Sequence, residues 1–517
     1  MSKVTLVMTT FNSNPKLFRR TLDSIEKQTH KNMEIIVVDD GSTKKKHYTE
    51  FKTIPGIKYM YLEKNVGIAE CTTRGIELAT GEYIGFIDHD DLLKPTCIAD
   101  TVAFLKNNPQ YSMVYTDEEF IDDQDEVIRT TCKEDYNEEL LLSKMYLNHF
   151  KLIRSEVCKE FLPLRYSGAQ DYDLVLKISE KYSIGHLRKI LYSWRQSKQS
   201  LTTNGITEDV YQNSKRAIED AITRRKIDAR VIPSIIKTHW HVDRKINTRE
   251  PVSIIILTKD QPQHLKNCLK GLEQNTDYPY EVIIVDTGTT DPDALEILHT
   301  TYHRVIRDKF HFSKNNNAAV KLAHFKYILF LNNDTIPLKG WLSEMVKHIQ
   351  RSDVGIVGSR LLYSDSTIQH AGVALGIGGI AGHLHLQKPT NHPAACYIRE
   401  VSSVTGACLM IKKDIFEQVN GFDPEYIIEF QDVDLCMKVR KLGYKVIYNP
   451  YSTLYHTCSA TRGTPSKEIQ LHDRPLFVGK WHEELRKQDP NLTESMLDPN
   501  HIPTMEYYLS IAKSGVK

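Results

Sequence analysis

The chain has 517 residues, which is too many for one hydrophobic core and predicts two or more domains. Its formal net charge is +1, so it lacks the broad basic field of nucleic-acid-binding proteins and must hold any anionic ligand with local groups. The nine cysteines form no CxxC pair and have no regular spacing, which indicates reduced thiols in a reducing compartment.

No targeting or membrane segment is predicted. The apolar run at the N-terminus is too short for a signal peptide, and no stretch is long enough to span a bilayer. We therefore expect a cytoplasmic protein, which could still work at the inner face of the cell membrane.

The first predicted elements are a buried strand, an amphipathic helix and a second buried strand that ends in aspartate. Their sequences are VTLVMTTFN (4–12), LFRRTLDSIEKQT (17–29) and IIVVDDGST (35–43). Continuous β-branched apolar runs are typical of buried parallel strands, and the intervening run has helical spacing. Further on come ATGEYIGFIDHDDLL (79–93) and GAQDYDLVLKI (168–178).

The same series recurs in the second half of the chain. Its members are VSIIILTKD (252–260), HLKNCLKGLEQNT (264–276), VIIVDTGTT (282–290), FKYILFLNNDTIP (325–337) and EFQDVDLCMKV (429–439). Asp90 aligns with Asp334 and Asp171 with Asp432, in the same order along the chain. Such a repeat indicates a duplicated domain with loops of different length.

The predicted fold class is α/β, with two tandem Rossmann-like domains, each on a mainly parallel sheet. We expect the first domain at residues 1–230, a linker at 231–250 and the second domain at 251–517, including a C-terminal tail packed on it.

A cluster of acidic residues is predicted at the carboxyl edge of the first sheet, where ligands bind in open α/β sheets. Its members are Asp39, Asp40, Asp88, Asp90 and Asp91. Asp88 and Asp90 are two positions apart on an extended strand end, so their side chains point the same way and suit Mg²⁺ or Mn²⁺. The alternative is a solvated loop or a helix cap.

Asp171 and Asp432 each begin a predicted helix within a repeated Gln-Asp pair. Helix capping, favoured by the helix dipole, is one interpretation, and a positioned general base is the other. Their neighbours Asp173 and Asp434 are interpreted as structural.

Taken together, these segments resemble glycosyltransferase family 2 enzymes of the GT-A fold, which use nucleotide-diphospho-sugars and invert the anomeric carbon. The later segments ILYSWR (190–195), TIQHAGVALG (367–376) and LYHTCSATRG (454–463) extend the resemblance over nearly the whole chain. The tandem is similar to bifunctional bacterial enzymes of O-antigen, capsule and related surface-polysaccharide assembly.

The resemblance implies specific roles for individual residues. It implies nucleotide-sugar binding by Thr9, Phe11, Asp39, Asp40, Asp88, Thr258, Asp260, Asp286, Asn332 and Asn333; metal binding by Asp88, Asp90, Asp334 and His456; and general-base catalysis by Asp171 and Asp432. The implied cofactor is Mn²⁺ or Mg²⁺. The implied partners are a UDP-sugar donor for the first domain, with Asp40 at the uracil position, and a glycan acceptor on a lipid carrier.

The sequence departs from the family pattern in both halves. The first half has Ser193 and Ser197 where relatives carry histidines, so its metal would lack a histidine ligand. In the second half Thr287 aligns with Asp40, and Asn332 replaces Asp88. One alternative is therefore a catalytic first domain with a degenerate, glycan-binding second domain.

Three further points stay open in the sequence. A sugar-nucleotide pyrophosphorylase is a weaker alternative, because TTFNSNPKLF (9–18) lacks the glycine-rich phosphate loop expected of one. Trp194, Arg195 and Arg462 either contact the acceptor or diphosphate or simply pack. Gln369, His370, Gly376 and Gly378 belong to a segment that the first half lacks, and they have no assigned role.

Overall fold

Our computed structural model describes residues 2–43, 56–196, 207–247, 249–300, 304–457, 466–493, 496 and 501–514. The chain divides into two compact units, Met1–Asp243 and Arg244–Lys517.

The first unit contains these strands and helices: β1 Val4–Thr10, α1 Pro15–Glu26, β2 Met33–Asp39, β3 Ile57–Tyr61, α2 Ile68–Leu78, β4 Tyr83–Phe86, β5 Leu92–Leu93, α3 Cys97–Asn107, β6 Tyr111–Ile121, β7 Val127–Thr131, α4 Glu138–Leu141, β8 Lys151–Arg154, α5 Ser155–Glu160, α6 Gln170–Lys181, β9 Ser183–Arg195, α7 Glu208–Arg224, β10 Ala229–Pro233 and β11 Trp240–Arg244, whose last residue falls in the second unit.

The second unit contains the following: β12 Val252–Thr258, α8 Pro262–Asn275, β13 Tyr280–Asp286, α9 Pro292–Thr300, β14 Arg304–Arg307, α10 Phe312–Val320, β15 Tyr327–Asn332, β16 Thr335–Pro337, α11 Trp341–Ile349, β17 Val354–Leu362, β18 Ile368–His370, β19 Val373–Leu375, β20 Ala381–His383, β21 Arg399–Glu400, β22 Cys408–Lys412, α12 Lys413–Gln418, α13 Gln431–Lys441, β23 Lys445–His456, α14 Lys467–Leu485 and α15 His501–Ser514.

The two main sheets match strand for strand. The first has the order β3-β2-β1-β4-β8-β6-β9-β5, and the second has β14-β13-β12-β15-β22-β17-β23-β16. The pairings among β1 to β4, and those among β12 to β15, are parallel, whereas β8 and β22 are antiparallel to their neighbours. The predicted duplication and the α/β fold class are confirmed, and in the other half of each sheet β6 pairs with β9, and β17 with β23, in parallel.

The first strand of each sheet is buried on both faces, as its apolar run predicts. Leu6 and Val7 are buried on opposite faces of β1, and Ile254 and Ile255 are buried on opposite faces of β12. Burial of consecutive β-branched and aliphatic residues between helix layers stabilises a parallel sheet. It also fixes the direction of β1 and β12, so that their polar C-terminal residues reach the carboxyl edge.

Residues 229–244, most of them in the expected linker, form the two-stranded sheet β10-β11. Trp240 on β11 is buried, stacks on Tyr211 with ring centroids 4.1 Å apart, and donates a hydrogen bond to Ser214 Oγ at 2.9 Å. The first unit therefore extends beyond residue 230.

The tail helices α14 and α15 pack on α13 and on the β19-β20 hairpin of the second unit. Phe477, Trp481 and Met505 of the tail share an apolar cluster with Val433 on α13 and Leu375 on β19. The tail thus covers the helix that begins with the predicted base.

Candidate active sites

Two aspartates at the carboxyl edge of the first sheet hold neighbouring loops by accepting hydrogen bonds from backbone amides. Asp39 Oδ1 accepts from the Ser42 amide at 2.8 Å. Asp40 accepts from the Val66 amide at 2.6 Å and from the Gly67 amide at 3.0 Å, one on each carboxylate oxygen. Gly67 has φ 92°, a conformation that favours glycine, and it caps α2. Asp40 therefore fixes the loop that enters α2.

The second domain keeps the first of these contacts and loses the second. Asp286 Oδ1 accepts from the Thr289 amide at 2.8 Å, as Asp39 does in its own loop. Thr287, aligned with Asp40, donates its hydroxyl to the Thr258 carbonyl at 2.9 Å instead. The corresponding loop of the second domain is therefore held differently.

The strand next to these aspartates ends in a threonine in both domains. Register places Thr10 at the position of Thr258, each opposite the aspartate that ends the adjacent strand, and the predicted nucleotide-binding residue Thr9 is the residue before Thr10. Thr258 Oγ1 accepts from Asn333 Nδ2 at 3.0 Å. Phe11 follows in the first domain with 47% of its surface exposed, so its ring is free to meet a planar ligand.

One residue with positive φ follows each of these strands and ties the edge together. Asn12, with φ 48°, accepts from the Thr43 amide at 3.0 Å. Asp260, with φ 51°, accepts from the amides of Thr290 at 2.7 Å and Asp291 at 2.9 Å. These two hydrogen bonds from backbone amides lower the pKa of Asp260. Asp260 thus acts on its neighbouring loop as Asn12 does.

The acidic cluster of the first domain is electrostatically strained. The Asp88 side chain is 51% exposed, while Asp91 is buried and accepts from Tyr192 Oη at 2.6 Å. Burial, together with the Asp88 charge, raises the pKa of Asp90. Burial and both neighbouring carboxylates raise the pKa of Asp91 well above its usual range. A cation bound at Asp88 and Asp90 would relieve this repulsion.

Arg195 has a packing role. It is buried, and its Nε donates to the Asp90 carbonyl at 2.7 Å. Its other nitrogens reach the Asp122 carbonyl and the Asp125 carboxylate, both at 2.5 Å. The guanidinium therefore holds the loop that carries the acidic cluster, and it has no free face for a ligand.

Trp194 also packs, with its ring 5.1 Å from Phe120 and 5.1 Å from the His149 ring. Ser193, at the family's histidine position, donates to Glu119 at 2.7 Å. Arg462 and Ser197 lie outside the described residues.

His149 is a site residue that the sequence analysis missed. Its Nε2 lies 3.8 Å from Asp88 Oδ2, and its ring stacks on Tyr192 with centroids 4.9 Å apart. Its Nδ1 is buried without a hydrogen-bond partner in the described structure, although Glu118 Oε2 lies 3.7 Å away. The first domain thus places an imidazole at its acidic cluster from the segment before β8.

The second domain places an imidazole at the same edge from β23. His456 Nδ1 and Gln369 Oε1 are 2.6 Å apart, so this nitrogen carries the proton and donates. His456 Nε2 then has a lone pair, and it lies 3.1 Å from Asp334 Oδ1 and 3.3 Å from Asn332 Nδ2. Although burial acts to raise it, the pKa of Asp334 is lowered by the contact with His456.

The facing lone pairs of Asp334 and His456 need a proton or a metal cation between them. In the first domain an imidazole also meets a carboxylate, because His149 Nε2 lies 3.8 Å from Asp88 Oδ2, although Asp334 aligns with Asp90 and the two imidazoles come from different segments. In the described ranges no group of three or more His, Cys, Asp or Glu side chains converges on one point. The oxygen and nitrogen donors fit Mn²⁺ or Mg²⁺, with the other coordination positions left for ligand oxygens or water.

The predicted base of the first domain is accessible and held in place. The Asp171 side chain, 30% exposed at the start of α6, accepts from Asn148 Nδ2 at 2.6 Å. Lys151 Nζ lies 3.6 Å from the same oxygen. Burial acts to raise the pKa of Asp171, but Lys151 and then Asn148 lower it on balance. Asp171 is therefore ionised, as a proton acceptor must be.

The second domain holds Asp432 from the equivalent position. The Gly406 amide donates to Asp432 Oδ2 at 2.8 Å, and the Val433 amide donates to Oδ1 at 2.9 Å. Arg154 on β8 and Lys412 on β22 pair with the first residues of the equivalent strands β4 and β15. Asn148 and Gly406 lie the same number of residues before them, so Gly406 is the counterpart of Asn148. By the same register, Ala407 is the counterpart of His149.

Asp173 and Asp434, interpreted as structural, are fully buried and ion-paired. Asp173 contacts Lys177 at 2.7 Å within α6. Asp434 contacts Lys480 at 2.7 Å and accepts from Trp481 Nε1 at 2.9 Å, both on α14. These carboxylates are committed to holding helices together.

Comparison with known proteins identifies the class of protein. A family model described as "Glycosyl transferase family 2" matches residues 5–162 and 253–419, which is more than half of the chain. The chain therefore belongs to glycosyl transferase family 2 and carries two tandem copies of its GT-A domain. The expected family and fold are confirmed.

Relatives resemble the chain over most of its length. It is 34% identical over 499 residues to "Uncharacterized protein y4gI" of Sinorhizobium fredii, covering 90% of this chain and 55% of the relative. It is 30% identical over 480 residues to "O-antigen biosynthesis protein RfbC" of Myxococcus xanthus, covering 89% of this chain and 38% of the relative. The chain thus spans about half, or less, of these relatives.

Solved structures resemble one part of the chain. A crystal structure of S. aureus TarS 1-349 in complex with UDP-GlcNAc is 22% identical, with a TM-score of 0.35, over 43% of this chain and 66% of that one. In the described part of the protein, no helix is both long and apolar enough to cross a membrane.

Proposed function

We propose that the chain is a bifunctional inverting glycosyltransferase that moves sugars from nucleotide-diphospho-sugars to a growing bacterial surface glycan, such as O-antigen or capsule. One observation carries the proposal. In each domain an acid–imidazole pair and a further aspartate lie at the carboxyl edge of the sheet. That aspartate is held by a hydrogen-bond donor from the segment before β8 in the first domain and before β22 in the second. In the first domain consecutive residues make this link, because Asn148 holds Asp171 and His149 faces Asp88.

The chemistry is an in-line displacement at the anomeric carbon. Asp171 or Asp432 accepts the proton of an acceptor hydroxyl, whose oxygen forms the new bond to C1. The bond from C1 to the diphosphate breaks on the opposite face, and its electron pair leaves with the nucleoside diphosphate. When bound, a divalent cation would neutralise charge on the diphosphate. Asp88, Asp90 and His149 would hold it in the first domain, and Asp334 and His456 in the second.

We infer a UDP-sugar donor for the first domain, since it keeps both aspartates at the end of β2. The second domain has Thr287 in place of the second aspartate, so we expect a different nucleotide preference there. The acceptor we infer is a glycan on a lipid carrier, reached from the cytoplasm at the inner face of the membrane. The likeness to a protein named for O-antigen biosynthesis supports this assignment.

Two single substitutions test the proposal against its alternative, a catalytic first domain with a degenerate glycan-binding second domain. Asn332 and Thr287 favour the alternative, whereas the geometry of Asp432 and His456 favours two active sites. A nucleotide-sugar screen on the full chain, with and without Mn²⁺, identifies the donors first. Asp171→Asn and Asp432→Asn should then each abolish transfer of one sugar and leave the other. If Asp432→Asn weakens only acceptor binding, the alternative is correct.

Metal binding is tested without turnover. Titration of Mn²⁺, followed by its electron paramagnetic resonance signal in the presence of UDP, counts bound ions. His149→Ala and His456→Ala should each weaken one class of site by roughly 10-fold or more. Ser193→Ala is the matched control, because it changes the family's histidine position in the first domain, which here donates to Glu119. Unchanged Mn²⁺ affinity in both histidine variants would contradict the assignment.

A further inference from the structure

The second domain contains an insert, residues 363–405, in a connection between β17 and β22 that is longer than the connection between β6 and β8 of the first domain. It supplies β18, β19, β20 and β21. The β19-β20 hairpin pairs Val373 with His383, and Val373 also bridges to Ser403. The insert thereby places two histidines, His370 and His383, next to the segment that holds Asp432.

A chain of hydrogen bonds fixes the proton positions on these two rings. The Thr405 amide donates to His370 Nε2 at 3.5 Å, so that nitrogen carries a lone pair. The proton of a neutral His370 must then be on Nδ1, which lies 2.9 Å from His383 Nδ1. His370 donates and His383 accepts, which leaves the proton of a neutral His383 on Nε2.

The surroundings keep both rings neutral. Burial lowers the pKa of His370 well below its usual range, and the neighbouring His383 and His456 act in the same direction. Burial also lowers the pKa of His383, although the charge of Asp432 acts to raise it.

The arrangement is tied directly to the base through consecutive amides. The Thr405 amide donates to His370, and the next amide, that of Gly406, donates to Asp432 at 2.8 Å. His383 is partly exposed, whereas His370 is fully buried. In the described residues His383 Nε2 has no hydrogen-bond partner, so the fixed chain ends in an N–H donor that is available to a ligand.

We propose that His383 binds the acceptor sugar of the second domain, donating its Nε2 proton to an oxygen next to the hydroxyl that Asp432 deprotonates. The ligand class is a sugar residue with two neighbouring oxygens, one for each group. The inference rests on the proposed function and makes the insert the acceptor-recognition element of the second domain.

Two substitutions at His383 separate its Nδ1 contact with His370 from its proposed Nε2 contact with the acceptor sugar. His383→Asn keeps an acceptor near the Nδ1 position for His370 but removes the outer donor. His383→Gln keeps a donor near the Nε2 position. His392→Asn, elsewhere in the insert, is the matched control.

Transfer is measured in the Asp171→Asn background, so that only the second domain contributes. The acceptor probes are p-nitrophenyl glycosides of common hexoses, and hydrolysis of the donor without an acceptor is the parallel readout. For His383→Asn we expect a loss of about 10-fold or more in kcat/KM for the acceptor, with donor hydrolysis unchanged. His383→Gln and the control should stay within about threefold of the parent. An undiminished transfer rate in His383→Asn, or an equal loss of hydrolysis, would overturn the proposal.

A second measurement does not need a productive acceptor. In protein labelled with ¹⁵N-histidine, the His383 signals are assigned by their loss in His383→Gln. Nitrogen–proton correlations at neutral pH should show the proton on Nε2 and a shift when a p-nitrophenyl glycoside is added. A proton on Nδ1, or no shift with any glycoside at saturation, overturns the inference. Absence of both sugar transfer and donor hydrolysis by the second domain in the parent would instead contradict the proposed function.

Discussion

Replacing Asp473 with alanine should loosen the position of Asp432, the proposed general base of the second domain, which lies on a different helix. Asp473 is fully buried on α14, and its carboxylate accepts from the consecutive amides of Ile427, Ile428 and Glu429 at 3.0, 2.9 and 2.8 Å. This segment leads directly into α13, whose second residue is Asp432. In Asp473→Ala the three amides lose their common acceptor.

The expected magnitude follows from these three bonds. Each hydrogen bond to a charged group contributes about 1.5–3 kcal/mol, and the bonds share one carboxylate, so their contributions do not add fully. We expect a loss of at least about 3 kcal/mol in the local free energy of opening. This loss corresponds to roughly 100-fold faster exchange of the three amides.

Hydrogen–deuterium exchange with mass spectrometry, on peptides that cover residues 424–436, measures this effect directly. Glu468→Ala is the matched control, because Glu468 is exposed in the first turn of the same helix. Transfer by the second domain should fall in Asp473→Ala while transfer by the first domain is retained. Equal protection in the variant and the parent chain would refute the claim that the tail positions the base.

The remaining predictions concern charge in the first domain. Lys151→Met removes the cation 3.6 Å from Asp171, so the pKa of that base should rise, because Lys151 is one of the groups that lower it. In an Asp432→Asn background the acidic limb of the pH profile of kcat/KM should therefore move to higher pH. Lys181→Met, on the exposed face of the helix that carries Asp171, should leave this limb in place. An unmoved limb in Lys151→Met would contradict the assignment of Asp171 as the base. Burial acts to raise the pKa of Glu34, but hydrogen bonds from a threonine hydroxyl, a backbone amide and two lysines lower it on balance. The stabilisation from Glu34 should be complete above its unfolded pKa, about 4.3, and should be lost as pH falls below it. Urea denaturation from pH 3 to 7 should show a flatter pH dependence for Glu34→Gln, and an unchanged slope would show that Glu34 does not contribute.

The fold could be predicted largely from local pattern. Apolar β-branched runs specify buried strands, and their repetition in the same order specifies two copies of one domain. Strand ends in a parallel sheet lie at one edge, so the positions of Asp39, Asp88 and Asp286 followed from the sequence alone. The Gln-Asp pairs gave the helix starts at Asp171 and Asp432 for the same reason, since a helix start is a local feature.

Only the tertiary structure showed how these residues are held. Asp40 contacts residues 66–67, Asp90 is held by Arg195, and Asp473 holds residues 427–429, which precede Asp432. Each contact joins segments that are far apart in the chain, and no spacing rule links such segments. A buried arginine that holds a loop and an arginine that binds phosphate also have the same appearance in a sequence.

The imidazoles show this division most clearly. The sequence placed one histidine, His456, by its motif, and it left the first domain without one. The structure supplies His149 from the segment before β8, because folding brings that segment to the edge where Asp88 lies, and no local motif specifies this contact. It also shows that Gln369 and the His370–His383 pair fix which nitrogen carries a proton. Proton positions depend on partners brought together by folding, and for that reason the sequence determines the inventory of groups while the tertiary structure decides their roles.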